Sequence, residues 1–288
     1  MVVDLTNAPI QGLSDLLRKI TFCTAVGGLR NDRTLYIRQE YTAFSPYSFL
    51  DLCDIKGFNL KPWDTSLGPA EFKMAANALP FDLGGVKTYK PGDLTISDEE
   101  FLGLWARSYR LVCPKPHIKL RIDSLQVDEK CVGLHVRRTD KISKNPDHWQ
   151  VHEQRVFFLE RKSRRAISSV LSEHKTRKIF LACDNEQSKL YWTRQLAKKK
   201  YTVIANNALF DSSKFRQTSG EDFIVDLFAL AQCGVIVMTL SSGVAEAAAR
   251  INGKTKLVYA QQHSFIRRHP FLYRLAKKVR HTIMVILR

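Results

Sequence analysis

Apolar strands alternate with amphipathic helices along the second half of the chain. Runs in which nearly every residue is apolar predict five buried strands, at about 131–136, 178–184, 201–205, 235–240 and 256–259. Apolar residues recur at helical spacing between them, over about 153–173, 188–199, 220–233 and 243–250. Near-continuous apolar strands that alternate with helices are typical of a parallel sheet covered on both faces. The pattern predicts a Rossmann-like α/β domain.

The first third of the chain contains a weaker signal of the same kind. Gly12 precedes a helical pattern that includes Leu16 and Ile20, and the strand-like run 33–37 follows. A glycine before a helix lets a phosphate or sugar approach the backbone, although an ordinary turn glycine is equally consistent with the pattern. Residues 41–125 carry scattered prolines among short apolar runs. They predict loops and helices that complete a first domain.

Length and composition favour two globular domains. A chain of 288 residues, 44% hydrophobic and 25% charged, is long enough for two cores of ordinary size. We predict an N-terminal α/β domain at 1–126, a Rossmann-like domain at 127–262, and a terminal helix at 263–288. The six cysteines are far apart and predict neither a disulfide framework nor a zinc site. With no apolar run of transmembrane length and no signal-peptide pattern, we expect a cytoplasmic protein.

The positive charge is concentrated at the end of the chain. The net charge is +17, and no Asp or Glu follows Glu246. Within 263–288, apolar residues at 271, 275, 279 and 283 form one face of a helix whose other positions are largely basic. Such a helix suits the surface of an anionic membrane. A helix that packs back across two domains is an equally good interpretation, and a nucleic-acid partner is a weaker one, because few aromatic residues accompany the charges.

One predicted strand ends in an unusual group of polar side chains. The run 131–136 is followed by Arg137, Arg138, Asp140 and Lys141, and His135 is its last polar member. Ligands of open α/β sheets bind at the carboxyl edge, where strands end. Two adjacent arginines there favour an anion, because the guanidinium group pairs bidentately with phosphate. The alternative is that these charged residues follow the strand and are exposed to solvent without binding a ligand. The complete pattern His-x-Arg-Arg-x-Asp argues against this alternative.

Other strand and helix ends should meet the first at the same crevice. Asp184 follows the strand 178–183, and Ser241 with Ser242 precedes a helix whose N–H groups favour an anion. Asp226 lies in an apolar helix, where a carboxylate is rarely buried without a partner. Each has a structural alternative: Asp184 or Ser241 as a helix N-cap, and Asp226 in an ion pair.

These motifs resemble those of the core α1,6-fucosyltransferases and, more loosely, the nodulation, α1,2 and protein O-fucosyltransferases. The resemblance covers residues 128–260 well and 6–38 loosely, and implies a two-domain Rossmann-like fold of the GT-B type. It implies that Arg137 grips the diphosphate of GDP-fucose. The resemblance places the remaining donor contacts at Gly12, His135, Lys141, Asp184, Asp226, Ser241 and Ser242. Animal members are anchored in the Golgi lumen, a location that would apply here only if an anchor preceded this chain.

The resemblance also implies the reaction. It is transfer of fucose from GDP-fucose, bound by the domain at 127–262, to a glycan hydroxyl on the side of the N-terminal domain at 1–126, with inversion at C1. No Asp-x-Asp triplet is present, which agrees with a mechanism that needs neither metal nor cofactor. The family's catalytic glutamate is replaced at about Asn145, so Asp147 or Asp140 becomes the candidate base, with His148 and Glu153 as further alternatives. Arg137 and Arg138 complete the predicted catalytic group. The alternatives are a transferase that uses another nucleoside-diphosphate sugar and, from a different class, a basic nucleic-acid-binding protein.

Overall fold

The computed structural model describes residues 2–4, 12–39, 47–67, 96–136, 164, 167–211, 218–238 and 242–260. Within them, the first half of the chain forms β1 (Val2–Asp4), α1 (Leu13–Leu29), β2 (Thr34–Arg38), α2 (Phe49–Leu52), β3 (Cys53–Ile55), β4 (Asn59–Pro62), α3 (Asp98–Ser108), β5 (Val112–Pro114) and α4 (Pro116–Ser124). Short 3-10 helices lie at Thr65–Leu67 and Tyr109–Leu111.

The second half follows the predicted strand–helix order. It forms β6 (Val132–Val136), α5 (of which residues 167–174 are described), β7 (Lys178–Cys183), α6 (Glu186–Ala197), β8 (Thr202–Ile204), α7 (Gly220–Gln232), β9 (Val235–Met238), α8 (Gly243–Asn252) and β10 (Lys256–Tyr259). All five strands pair in parallel in the order β10-β9-β6-β7-β8. The predicted parallel sheet is therefore confirmed.

Helices cover both faces of this C-terminal sheet. One face buries Val132, Leu134 and Val136 of β6 against α5 and α6, and the other packs on α7 and α8. Gly133 lies on the α7 side, where a Cβ atom would approach Leu230 Cδ2 to 2.8 Å. A side chain at this position would hold the helix away from the strand. The glycine therefore lets α7 pack closely on the central strand.

The N-terminal half is more regular than its sequence predicts. The strand at 34–38 is confirmed, and β1, β2 and β4 form a small parallel sheet with α1 packed against it. The prediction of only loops and helices within 41–125 is wrong, because β3, β4 and β5 are strands. Each has only three or four residues, and Pro62 and Pro114 end two of them. Each contains a polar residue or a proline, so none stands out in the sequence as an apolar run.

The two halves share one apolar core. A buried cluster continues from α1 and α3 to α7 and α8, across the predicted boundary between 126 and 127, which stays a prediction. The guanidinium of Arg250 in α8 lies 5.6 Å from the ring centre of Trp105 and 5.3 Å from that of Tyr109. The terminal segment 263–288 lies outside the described residues. None of the helices described is long and apolar enough to cross a membrane.

Candidate active site

The carboxyl ends of the three central strands meet at one edge of the C-terminal sheet. β6 lies between β9 and β7, with His135 paired to Met238 and Val136 paired to Cys183. The backbone N–H of Asp184 donates to the carbonyl of Val136 at 3.4 Å, which holds the exits of β6 and β7 side by side. The predicted convergence of these strand ends is thus present in the structure.

His135 lies on the face of the sheet that α7 covers. Side chains alternate along a strand, and His135 shares the side of Gly133, while its neighbours Leu134 and Val136 point into the opposite core. The imidazole is only 6% exposed. A buried polar ring at the end of a central strand limits which ligand groups fit beside it. His135 is therefore placed to contribute to a ligand site at the carboxyl edge.

Asp226 carries a partly buried carboxylate in this region. It lies in α7, and its Oδ1 atom has no hydrogen-bond partner within the described part of the chain. Burial, and then the negative charge of Asp222, raise the pKa of Asp226 to about 8. The positive charge of Lys189, a side-chain hydrogen bond with Asn206 and the positive charge of Arg121 lower the pKa by smaller amounts. Among the described residues no cation forms an ion pair with Asp226. Arg137 and Arg138 lie outside those residues, so the ion-pair alternative stays a prediction.

A polar network beside Asp226 was not predicted from the sequence. Arg121 of α4 pairs with Asp222, and it donates to Glu221 at 3.1 Å. Asn206, which follows β8, donates to Asp222 Oδ1 at 3.3 Å, and Ser219 donates to the second oxygen at 2.7 Å. The spacing Ser219-x-x-Asp222 at the start of α7 is a helix-start signal that was available in the sequence. The partners Arg121 and Asn206 are distant in sequence and carry no such signal.

Asp184 and Ser242 occupy turns at the ends of strands. Asn185, and not Asp184, is the N-cap of α6: its side chain accepts from the N–H of Ser188 at 2.8 Å and donates to Asp184 at 3.1 Å. Ser242 is the N-cap of α8 and accepts from the N–H of Val244 at 3.3 Å. The N-cap alternatives for Asp184 and Ser241 are therefore wrong, because each helix begins one residue later than those alternatives require.

The first turns of α1 and α8 are in contact. A Cβ atom on Gly243 would lie 2.9 Å from the hydroxyl oxygen of Ser14, so the two helix starts approach closely. Gly12 is the N-cap residue of α1 and has extended backbone angles, φ −87° and ψ 174°. Helix N-termini present free N–H groups and a positive dipole end. Gly12 and Ser242 thus lie at two adjacent helix ends that favour an anion.

Six predicted site residues lie outside the described residues: Arg137, Arg138, Asp140, Lys141, Asp147 and Ser241. Their predicted roles stay predictions. Arg137 directly follows the last residue of β6 in the sequence, and Ser241 directly precedes the buried Ser242. Within the part of the chain that is described, no group of three or more His, Cys, Asp or Glu side chains has an arrangement that would hold a metal ion.

Comparison with known proteins identifies the class. A family model described as alpha-(1,6)-fucosyltransferase N- and catalytic domains matches residues 112–260, just over half of the chain. Among solved structures, NodZ alpha-1,6-fucosyltransferase soaked with GDP-fucose is 17% identical with a TM-score of 0.52, and the match covers 87% of this chain and 91% of that one. Comparison with curated proteins finds no match.

Two further structures share the architecture. Fucosyltransferase NodZ from Bradyrhizobium is 16% identical with a TM-score of 0.50, over 86% of this chain and 91% of that one. POFUT1 in complex with GDP is 11% identical with the same TM-score, over 90% and 97%. The fold is the predicted α/β GT-B architecture, and the family match identifies the chain as a glycosyltransferase. The chain belongs to the family of alpha-(1,6)-fucosyltransferase N- and catalytic domains.

The buried Asp226 predicts a pH-dependent stability. Its pKa of about 8 in the folded protein is far above the usual value of 3.8, so its contribution to stability is greatest below about pH 4. That contribution is lost as the pH rises through 8. Asp226→Asn should therefore be the more stable protein at pH 9, by on the order of a few kcal/mol, and the difference should shrink at pH 5.

Thermal unfolding of the ligand-free protein at pH 5, 7 and 9 measures this effect. Asp51→Asn, which removes an exposed carboxylate, is the matched control and should follow the wild-type curve. Parallel pH profiles for wild type and Asp226→Asn would show that Asp226 ionises normally and is not buried as described.

Proposed function

We propose that the chain transfers fucose from GDP-fucose to a glycan hydroxyl group, with inversion at C1 and without a metal ion or cofactor. The main support is the buried Oδ1 atom of Asp226, which lacks a partner within the described chain at the strand edge where α/β sheets bind ligands. Family membership supports the fucosyl transfer. The structurally similar NodZ and POFUT1 were solved with GDP-fucose and GDP, respectively.

The nucleoside would bind on the α7 side of the sheet edge. A nucleoside offers N–H and O–H donors, which suit a carboxylate with an unused acceptor atom. We infer that Asp226 binds these donors as a carboxylate, with His135 and Asp184 beside it. Burial makes this interaction strong, because no water competes within the closed site. It also makes the ionised carboxylate unfavourable until the ligand arrives.

The diphosphate would bind between the helix starts and the residues after β6. The N-termini of α1 and α8, at Gly12 and Ser242, offer N–H groups, and Ser241 precedes the second of them. Arg137 supplies a bidentate guanidinium and Lys141 a further cation. Together they would neutralise the charge that develops as the bond from fucose C1 to the diphosphate oxygen breaks.

Transfer also needs a base on the acceptor side. The acceptor hydroxyl attacks C1 opposite the departing GDP and loses its proton, which inverts the configuration. We propose Asp147 or Asp140 as the base, with Arg138 holding reacting groups in place. Contact of the segment 263–288 with an anionic membrane and a cytoplasmic location also stay proposals, since both rest on the sequence alone.

Replacement of Arg137 tests the diphosphate assignment. GDP should raise the Tm of the wild-type protein, and Arg137→Ala should remove this shift while leaving the ligand-free Tm unchanged. A charge-assisted bidentate contact contributes about 1.5–3 kcal/mol, which corresponds to a loss of roughly 10- to 150-fold in GDP affinity. Arg137→Lys should not restore binding, because an ammonium group lacks the planar fork.

Arg107→Ala is the matched control, since Arg107 is exposed on α3 and distant from the sheet edge. The same measurement with UDP, ADP and duplex DNA distinguishes the alternative donors and the nucleic-acid interpretation. Wild-type GDP affinity in Arg137→Ala would refute the role assigned to this arginine.

Metal independence is tested by chelation. Turnover of GDP-fucose should be unchanged by excess EDTA, because cationic side chains and helix N-termini stabilise the departing diphosphate. Release of GDP measures the reaction. Loss of turnover in EDTA that Mn²⁺ restores would contradict the proposed mechanism.

A further inference from the structure

A concentrated set of cations lies at the opposite edge of the C-terminal sheet, where its strands begin. Exposed lysine or arginine residues lie at the start of β6, β7, β8 and β10. We call such positions, where the chain passes into a strand, the strand entries. We call the set the amino-edge face, which consists of Lys130, Lys175, Arg177, Lys178, Lys198, Lys199, Lys200, Lys254 and Lys256. Three carboxylates accompany these nine cations, so the face has a net charge of +6 from Asp128, Glu129 and Glu173.

Strand register brings these cations together. Lys178 pairs in register with Thr202, which places Lys200 beside the entry to β7, and Lys256 pairs with Val235. The hydroxyl of Thr176 donates to the carbonyl of Lys130 at 2.8 Å, which joins the entries to β6 and β7. Neighbouring strands are about 4.8 Å apart, so the five strands span roughly 20 Å. Since the Debye length is about 8 Å at physiological salt, an anionic partner along this edge meets the field of many cations at once.

Local ion pairs leave most of this charge uncompensated. Lys178 lies 3.9 Å from Asp128, and Lys256 lies 3.3 Å from Glu173. Both pairs are about half exposed, so solvent screens them strongly. The remaining lysines at the ends of α5 and α6 have no carboxylate partner among the ion pairs of the described residues. The face therefore presents an outward positive potential.

We propose that the amino-edge face docks the protein on an anionic membrane surface. Eight of its nine cations are lysines, which are hydrated point charges without fixed geometry and suit a fluid layer of headgroups. A nucleic-acid surface would favour arginine forks and exposed aromatic rings for stacking. Among the described residues that precede these four strands, Tyr201 is the one aromatic residue, and its ring packs against the core. None of the nine cations of the amino-edge face belongs to the segment 263–288.

Docking with the amino-edge face against the membrane determines which acceptors the donor site can reach. β7 has six residues, and at about 3.3 Å per residue it separates the two edges of the sheet by roughly 20 Å. On the proposed function, the donor site at the carboxyl edge then opens away from the bilayer. The acceptor hydroxyl belongs to a glycan that extends from the membrane or is soluble, and not to a sugar held at the headgroups.

Vesicle binding by the full chain tests the proposal. The triple variant Lys175→Glu, Arg177→Glu, Lys254→Glu lowers the net charge from +17 to +11, two units for each reversal. Co-sedimentation is measured with vesicles of phosphatidylcholine containing 30% phosphatidylserine, with phosphatidylcholine alone, and at rising salt. Each basic residue near such a surface contributes about 1 kcal/mol, so the variant should bind anionic vesicles at least about 100-fold more weakly.

The matched control is Lys56→Glu, Lys61→Glu, Arg107→Glu, which makes the same charge change at exposed positions outside the amino-edge face. It should keep most of the binding. The Tm of each variant and its thermal shift with GDP should equal those of the wild type, because the donor site lies at the other edge. A failure of GDP binding would affect the proposed function and not the docking surface.

Three results would overturn the proposal. They are no binding of the wild type to anionic vesicles, equal binding by the two triple variants, and binding to duplex DNA without binding to vesicles. Retained binding by the amino-edge variant would assign membrane contact to another surface, including 263–288.

Discussion

Close packing of α7 on the central strand determines much of the architecture around the site. Gly133 leaves room for Leu230, and the helix that approaches there carries Asp226, whose Oδ1 atom is buried. Burial disfavours the ionised form of this carboxylate and, with nearby negative charge, raises its pKa to about 8. Asp222, held by Arg121, Asn206 and Ser219, adds a negative charge nearby. In our account, the protein retains this unfavourable arrangement because a ligand supplies the missing donors.

We assign different roles to the two edges of the C-terminal sheet. At the carboxyl edge, the starts of α1 and α8 meet, and the sequence adds Arg137, Arg138 and Lys141 directly after β6. These groups suit a diphosphate without a bridging metal. At the amino edge, lysines occupy four of the five strand entries. A parallel sheet makes this division possible, because every strand begins at one edge and ends at the other.

The sequence predicts the C-terminal sheet well because its strands are nearly continuous apolar runs that are regularly separated by helices. The positions of His135 and Asp184 follow from that pattern, since parallel strands end at one edge. The strands β3 to β5 were missed because each contains a polar residue or a proline and none belongs to a regular alternation with helices. Arg121 and Asn206 were missed because their contacts with Asp222 join residues far apart in the sequence. Such contacts depend on how α4 packs on α7, which no local pattern encodes.

The number of protons released when GDP binds is the most direct test of whether Asp226 binds the nucleoside as a carboxylate. Calorimetry of the wild-type protein in two buffers of different ionisation enthalpy counts the protons released. With a pKa of about 8, roughly three quarters of the Asp226 side chains are protonated at pH 7.5 before GDP binds. We expect release of more than about half a proton per GDP at pH 7.5 and almost none at pH 9.5. GDP binding with no proton release at either pH would contradict it.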